Sequence, residues 1–300
     1  MSFGHELPEA RWRWRYRDNP SGLALIELAW HGDILVGHRA QTPVVLRVQG
    51  RDYRVGITGG VMTHPLYRSQ GVYARITVVQ LAREADAGIV MSLGFPNSLS
   101  HRVMIDRNEF RDIYEIPVFR LGLPAPSFLA EGGSHLQPRH VVELAAFDQR
   151  FDRLWERVRD DYALITRRDQ RHLQWRYMEN PTARYRILVC EEGEELLGYA
   201  VCKRYQQELH LADLLTVQDV QVGLSLVRQA AQMAVDGGAT ALSLWLNVSH
   251  PLHRRLEKLG FRNGEPVTYC VGKLTTPQLP ESLVFDFHNW YLTMGDSDVY

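Results

Sequence analysis

The segment His64-Pro65-Leu66-Tyr67-Arg68-Ser69-Gln70-Gly71-Val72-Tyr73 has the make-up of an anion site. An apolar stretch that reads as a strand ends at Thr63 before it. After it, from Val72 to Ala87, Ile76, Val79 and Leu81 fall among Arg75, Arg83 and Glu84 with the spacing of an amphipathic helix. The first amides of a helix lack partners within the helix and lie at the positive end of its dipole. A glycine there lets phosphate oxygens come close. Arg68 adds a fixed charge that can bind two oxygens at once. Together these groups suit a pyrophosphate. The loop carries neither the Gly-Lys-Ser/Thr of a Walker loop nor the three glycines of a dinucleotide fingerprint.

The elements that must position this loop recur along the chain. Trp14-Arg15-Tyr16, Asn19-Pro20, Ile26, Gly32, Leu35 and Gly37 return at one constant spacing as Trp175-Arg176-Tyr177, Asn180-Pro181, Ile187, Gly193, Leu196 and Gly198. Asp86, Gly88 and Asn97 return as Asp236, Gly238 and Asn247, at a spacing eleven residues shorter. A repeat of this length means two copies of one domain. The shortened interval is the one that holds the candidate loop in the first copy. The expected order in the first copy is a short helical or extended segment (Glu9 to Arg17), a hairpin of strands (Leu23 to Trp30 and Ile34 to Val48), and a strand from Tyr53 to Thr63. The loop, the helix ended by Gly88, a strand (Ile89 to Phe95), a helix (Ser98 to Arg107) and a strand (Phe110 to Leu121) complete it.

The second copy reads β-α-α-β-β-β-α-β-α-β, with Phe147 to Tyr177 largely helical, in two pieces. A Pro-, Gly- and Ser-rich stretch separates the copies. The expected boundaries are 1–122 for the first domain, 123–137 for the linker, 138–275 for the second domain and 276–300 for a tail. The expected fold class is α/β, with a mixed sheet in each copy.

At 300 residues, 45% hydrophobic and 23% charged, the chain has the composition of a soluble globular protein with room for two cores. A net charge of −1 gives no global field toward nucleic acid or an anionic membrane. No apolar run reaches the ~20 residues of a spanning helix, and the first residues hold no apolar signal core. Cys190, Cys202 and Cys270 are too few and too scattered for a disulfide framework or a zinc knuckle. The expectations are a cytoplasmic chain, no metal, no nucleic-acid partner and no membrane insertion. The interleaved Arg11-Trp12-Arg13-Trp14-Arg15-Tyr16-Arg17 resembles a nucleic-acid patch. Its Trp-Arg-Tyr core recurs in another charge context, which makes it a scaffold feature of both copies.

The segment Val61 to Tyr73 resembles the acyl-CoA loop of the GNAT acetyltransferases: a strand ending near a proline, then Arg/Gln-x-x-Gly-x-Gly/Ala opening a helix. Gly94-Phe95-Pro96-Asn97, the following helix and Asn108-Glu109-Phe110 are similar to that family's next strand, cofactor-side helix and closing Gly-Phe. Leu259-Gly260-Phe261 matches the closing pattern in the second copy. The resemblance covers nearly the whole chain, as two tandem copies. It departs from the pattern at Tyr73, where a small residue is usual. The second copy, from Leu215 to Gly223, has no arginine and places Asp219 where a pyrophosphate would be repelled.

The resemblance implies one acyl-CoA site, in the first copy, with two central parallel strands splayed around the pantetheine arm. Val61, Met62 and Thr63 would pair with that arm through backbone groups. Arg68, Ser69, Gln70, Gly71, Val72 and Tyr73 would hold the pyrophosphate, and Asn97 would orient the cofactor. It implies an N-acetyltransferase that passes the acetyl group of acetyl-CoA directly to a small-molecule amine, such as an amino sugar or an aminated surface-polymer precursor. The alternative is a non-catalytic acyl-CoA sensor or scaffold. The family's usual tyrosine acid falls here on Ile105, or Leu256 in the second copy. The remaining candidates are Tyr73, Tyr67 and His101. His64 is the candidate base, since a base must reach the amine directly or through one water and histidine titrates in the useful range. Eis-like tandem members use their terminal carboxylate as base, which would give Tyr300 that role here. The second copy would complete the acceptor cleft or form a homodimer.

Overall fold

The computed structural model describes residues 7–108, 110–129 and 139–298. Its elements in chain order are α1 (Glu9–Tyr16), β1 (Leu25–His31), β2 (Ile34–Val48), β3 (Arg51–Thr63), α2 (Val72–Asp86), β4 (Met91–Gly94), α3 (Ser98–Asn108) and β5 (Arg111–Gly122). Next come α4 (Pro126–Leu129), β6 (Val141–Leu144), α5 (Arg150–Val158), β7 (Leu164–Thr166), α6 (Gln170–Leu173), β8 (Arg186–Glu192), β9 (Glu195–Tyr205), β10 (Glu208–Thr216) and α7 (Val220–Asp236). The last are β11 (Ala241–Leu244), α8 (Pro251–Lys258), β12 (Arg262–Leu274), α9 (Glu281–Val284) and β13 (Trp290–Tyr291). The mixed α/β class is as expected. Among the described residues no helix is long and apolar enough to cross a membrane.

The chain forms two compact units, Met1–Ile116 with Val267–Asn289, and Pro117–Pro266 with Trp290–Tyr300. These bounds differ from those the repeat suggests. The end of β12 runs antiparallel to β4 in the first unit, Val271 opposite Gly94 and Leu274 opposite Met91. The end of β5 runs antiparallel to β11 in the second, Phe119 opposite Leu244 and Gly122 opposite Ala241. Each copy therefore gives its closing strand to the other unit. The boundary at 122 follows chain order, and chain order cannot reveal this exchange: either register buries the same alternating apolar residues.

In the first unit, β1, β2 and β3 are antiparallel neighbours, and β3 runs parallel to β4. The helix α2 lies on this sheet through residues four apart, Val72, Ile76, Gln80 and Glu84, all buried. Its first half packs on Val36 and against Gly37, where any side chain would collide with Val72 and Ile76. Its second half is polar and meets Arg39 of β2. The Arg39 guanidinium donates to Gln80, to Glu84 at 3.2 Å and to Thr58 at 3.3 Å, and Ser92 donates to Glu84. Burial pushes the Glu84 carboxyl above its usual range, opposed by the Arg39 charge. Such a pair adds little net stability, because desolvation offsets the attraction. It does fix the rotation and height of α2, and so the place of its N-terminus.

The second unit repeats the design. β10 lies between antiparallel β9 and parallel β11, β8 follows β9, and β6 pairs with β8. The shared blocks of sequence are scaffold in both units. Trp14 and Tyr16 are buried, as are Trp175, Arg176 and Tyr177. The Asn19 side chain accepts from the Ser21 amide at 2.8 Å, and Asn180 accepts from that of Thr182 at 3.0 Å, the same turn in each copy. One feature of this unit departs from the sequence reading: a strand, β7, separates the two helical pieces of 147–177, and Trp290 and Tyr291 of the tail pair with its Leu164 and Ile165.

Candidate acyl-donor site

In the first unit, β3 and β4 pair from Val55 opposite Met91 to Thr58 opposite Gly94, and no further. β4 ends at Gly94, whereas β3 continues to Thr63. Past Thr58 the pairing side of β3 is therefore released, and this released stretch contains Val61, Met62 and Thr63. Val61 is exposed, though it is an apolar strand residue. A bulge opposite β2 precedes the stretch, and Gly60 sits there in the left-handed region with φ 60°. A side chain at Gly60 would collide with the Tyr16 hydroxyl, so the turn requires glycine both for its φ and for its contact.

The chain then passes through a short 3-10 turn (Pro65–Tyr67) into the loop. Ser69 (φ 62°) and Gly71 (φ 76°) are both left-handed. That conformation is uncommon for serine. α2 starts at Val72 with Gly71 as its N-cap and no side-chain cap. The first backbone bond of its N-terminal turn runs from the Arg75 amide to the Gly71 carbonyl. Arg68 and Gly71 are exposed, and no side chain approaches the Cβ position of Gly71. Arg75 bends back to the Gln70 carbonyl at 3.5 Å, and Gln70 donates to the Leu66 carbonyl at 2.9 Å. Arg75 is thus a second cation beside Arg68. The sequence signal for it was its place in the first turn of α2. His31 of β1 bonds the Tyr67 hydroxyl at 2.6 Å and ties the loop to the sheet.

The same place in the second unit is occupied by the chain itself. α7 is capped by Asp219, whose carboxylate accepts from the Gln221 amide at 2.8 Å and lies 3.3 Å from Arg139. β10 and β11 also part, after Leu211 opposite Leu244. The tail fills the opening: the Tyr291 hydroxyl donates to the Leu214 carbonyl, and the Asn247 amide donates to the Trp290 carbonyl at 3.3 Å. Gly295 packs so close to Tyr177 and the Ala212 carbonyl that a Cβ would not fit. Asp213 anchors this arrangement. It lies 3.1 Å from Arg168 and accepts from the hydroxyls of Tyr177 (3.0 Å), Tyr199 (3.2 Å) and Thr293 (3.3 Å).

Asn97 and Val61 have counterparts in the second copy. Asn97 corresponds to Asn247, and both cap the turn that follows: Asn97 accepts from the amides of Leu99 and Ser100, and Asn247 from that of Ser249. Asn247 is buried under the tail, whereas Asn97 is exposed. Counting from the paired strand ends, Val61 corresponds to Leu214. The first copy thus keeps an amide donor at Asn97 and a strand edge at Val61, and no segment among the described residues crosses them as the tail does in the second copy. A chain of amides, which pantetheine is, can make the bonds that the tail makes in the second copy.

The candidate proton carriers fall in different places. His64 caps the 3-10 turn, its Nδ1 accepting from the Leu66 amide at 3.3 Å, and its ring lies 5.5 Å from that of Tyr67. A neutral His64 in this role carries its proton on Nε2. Tyr73 is half-buried in the first turn of α2, beside the loop. His101 bonds Asp112 at 2.6 Å and stacks on Tyr269 at 3.9 Å. Tyr300 lies outside the described residues, as do residues 130–137 of the expected linker. Among the described residues no cluster of His, Cys, Asp or Glu could hold a metal ion. His38 did not stand out in the sequence. Its Nδ1 is 2.7 Å from the Gly60 carbonyl, a relation that the pairing of β2 and β3 creates.

Two family models match the chain. Residues 1–103 match an acetyltransferase (GNAT) domain, and residues 150–261 match the acetyltransferase (GNAT) family. Together they span more than two thirds of the chain. A search of curated proteins gave no match. Among solved structures, a probable N-acyltransferase of unknown function from Enterococcus faecalis is similar, with a TM-score of 0.68 at 12% identity over 91% of this chain and 67% of that one. A GCN5-related N-acetyltransferase from Kribbella flavida gives 0.62 at 17% identity, over 83% and 59%. The N-myristoyltransferase of Saccharomyces cerevisiae, solved with bound myristoyl-CoA, gives 0.59 at 12% identity, over 90% and 76%. At such identities the likeness is one of fold.

Proposed function

The chain belongs to the GNAT acetyltransferases, as two copies in tandem, and from that premise we propose that its first copy transfers the acetyl group of acetyl-CoA directly to the amine of a small-molecule acceptor. The observation that carries this reading is the uncapped start of α2, set between Arg68 and Arg75 and next to the released edge of β3. Backbone amides and two guanidinium groups suit the diphosphate of CoA. The groups of Val61 to Thr63 suit the two amides of pantetheine, with Asn97 across the opening. The second copy has its own carboxylate at the matching helix start and its own tail in the matching opening. Both features support one donor site per chain.

In direct transfer the acceptor nitrogen forms a bond to the thioester carbonyl carbon, and the carbon–sulfur bond breaks. Preorganised amides near that carbonyl stabilise the charge that develops on its oxygen. The acceptor class, an amino sugar or an aminated precursor of a surface polymer, is part of the same proposal.

The apolar residues Ile105 and Leu256, where the family places its acid, favour a second reading: a non-catalytic acyl-CoA sensor. Thiol release separates the two. With acetyl-CoA and a panel of primary amines that includes amino sugars, the enzyme reading expects amine-dependent release of free CoA, at least tenfold above hydrolysis. Binding of acetyl-CoA without such release for any amine favours the sensor.

A further inference from the structure

His38 lies on β2, opposite Met62 of β3 and beside the bulge that opens the candidate acetyl-CoA edge. Its Nδ1 is 2.7 Å from the Gly60 carbonyl oxygen. A carbonyl only accepts, so Nδ1 carries the hydrogen. The neutral ring therefore holds its lone pair on Nε2, and no group among the described residues bonds to that nitrogen. Alternate residues of β2 face opposite sides of the sheet. Gly37 and Arg39 face α2, and His38 faces α1, over Gly60 and next to Tyr16 at a ring separation of 6.1 Å. The imidazole is thus one residue from the released edge at Val61, on the side of the sheet away from α2.

We propose that His38 is the proton acceptor for the amine in the acetyl transfer described above, its tautomer set by the Gly60 carbonyl. This inference rests on that reading of the site. The acceptor arrives as an ammonium ion and gives one proton to Nε2. The freed nitrogen pair forms the C–N bond, and the C–S electron pair leaves with sulfur. The second nitrogen proton ends on the thiolate, and the imidazolium returns its proton to solvent. The products are amide, thiol and one proton. Burial holds His38 below the usual histidine range, with Arg15 on α1 pushing the same way and the Gly60 carbonyl opposing. Tyr16 is the other titratable group beside it, from the same helix. His38 is consequently neutral, and able to accept, at pH 7.

His38→Asn separates a proton carrier from a strut. The Asn amide nitrogen takes the place of Nδ1 and can still donate to the Gly60 carbonyl, but it has no basic nitrogen. The variant is expected to bind acetyl-CoA within about threefold of wild type while kcat falls by about 100- to 10,000-fold. In wild type, kcat/KM should fall in acid with a midpoint below the usual histidine range, and this limb should vanish in the variant. Turnover within tenfold of wild type, or an unchanged acid limb, overturns the proposal and leaves the transferase reading intact. If His38→Asn does not fold, the wild-type profile decides: an acid limb centred below the usual histidine range supports His38, and its absence overturns it. If wild type turns over no amine of the panel, the transferase reading falls, and the His38 proposal falls with it.

Discussion

Arg68→Glu should remove most of the rise in melting temperature that acetyl-CoA gives the wild-type chain. A ligand present at a hundredfold excess over its Kd stabilises the folded state by about 2.7 kcal/mol. Arg68 is exposed, so its attraction for the diphosphate is screened, and its value lies in two charge-assisted bonds of roughly 1.5 kcal/mol each. Losing both weakens binding by roughly a hundredfold. At the same ligand concentration the stabilisation then drops to about 0.4 kcal/mol. Arg68→Gln should fall between the two, since it removes attraction without adding repulsion. Because Arg68 makes no ion pair among the described residues, the melting temperature without ligand should barely move. An unchanged acetyl-CoA shift in Arg68→Glu would show that the loop does not hold the diphosphate.

Arg168→Ala should be among the most destabilising single substitutions in the second unit, costing about 3–5 kcal/mol. Arg168 is 2% exposed and lies 3.1 Å from Asp213 and 2.7 Å from Asp296, both buried as well. Removing it strands two carboxylates in a dry site that also holds Tyr177, Tyr199 and Thr293. It also unfastens the tail, because Asp296 closes the capping box with Thr293 and Arg176 donates to the Gly295 carbonyl at 3.1 Å. Breaking the exposed Glu143–Arg186 pair with Arg186→Ala should cost under about 1 kcal/mol, as is usual for surface pairs. Denaturant unfolding of the second unit measures both. A similar small cost for each would mean that the tail does not depend on Arg168.

The sequence made the loop from His64 to Tyr73 and the helix start after it legible because the signal is local. A strand end, Arg68, Gly71 and an amphipathic run lie within about two dozen residues, and each obeys a rule of short range. The duplication was legible because Trp-Arg-Tyr and Asn-Pro recur without a gap, and Asn19 and Asn180 make the same turn in the two units. The exchange of closing strands was hidden because strand partners are long-range choices. β7 was hidden by its length, three residues without a complete alternation. The tail's role was hidden because it depends on Leu214 and Asn247, which only the fold brings to it. His38 was passed over for the same reason. A lone histidine in a strand has no pattern, and its tautomer is set by a carbonyl on the neighbouring strand. His64 attracted notice by its place at a strand end, where the structure uses its Nδ1 as a cap.

We propose an asymmetry between the copies: the first keeps an open acyl-donor site, and the second closes the matching place with Asp219 and the tail. Calorimetric titration of the wild-type chain with acetyl-CoA tests it most directly. The account predicts one molecule bound per chain, and binding weakened by roughly a hundredfold in Arg68→Glu. Two molecules per chain, or one that persists undiminished in Arg68→Glu, would contradict it.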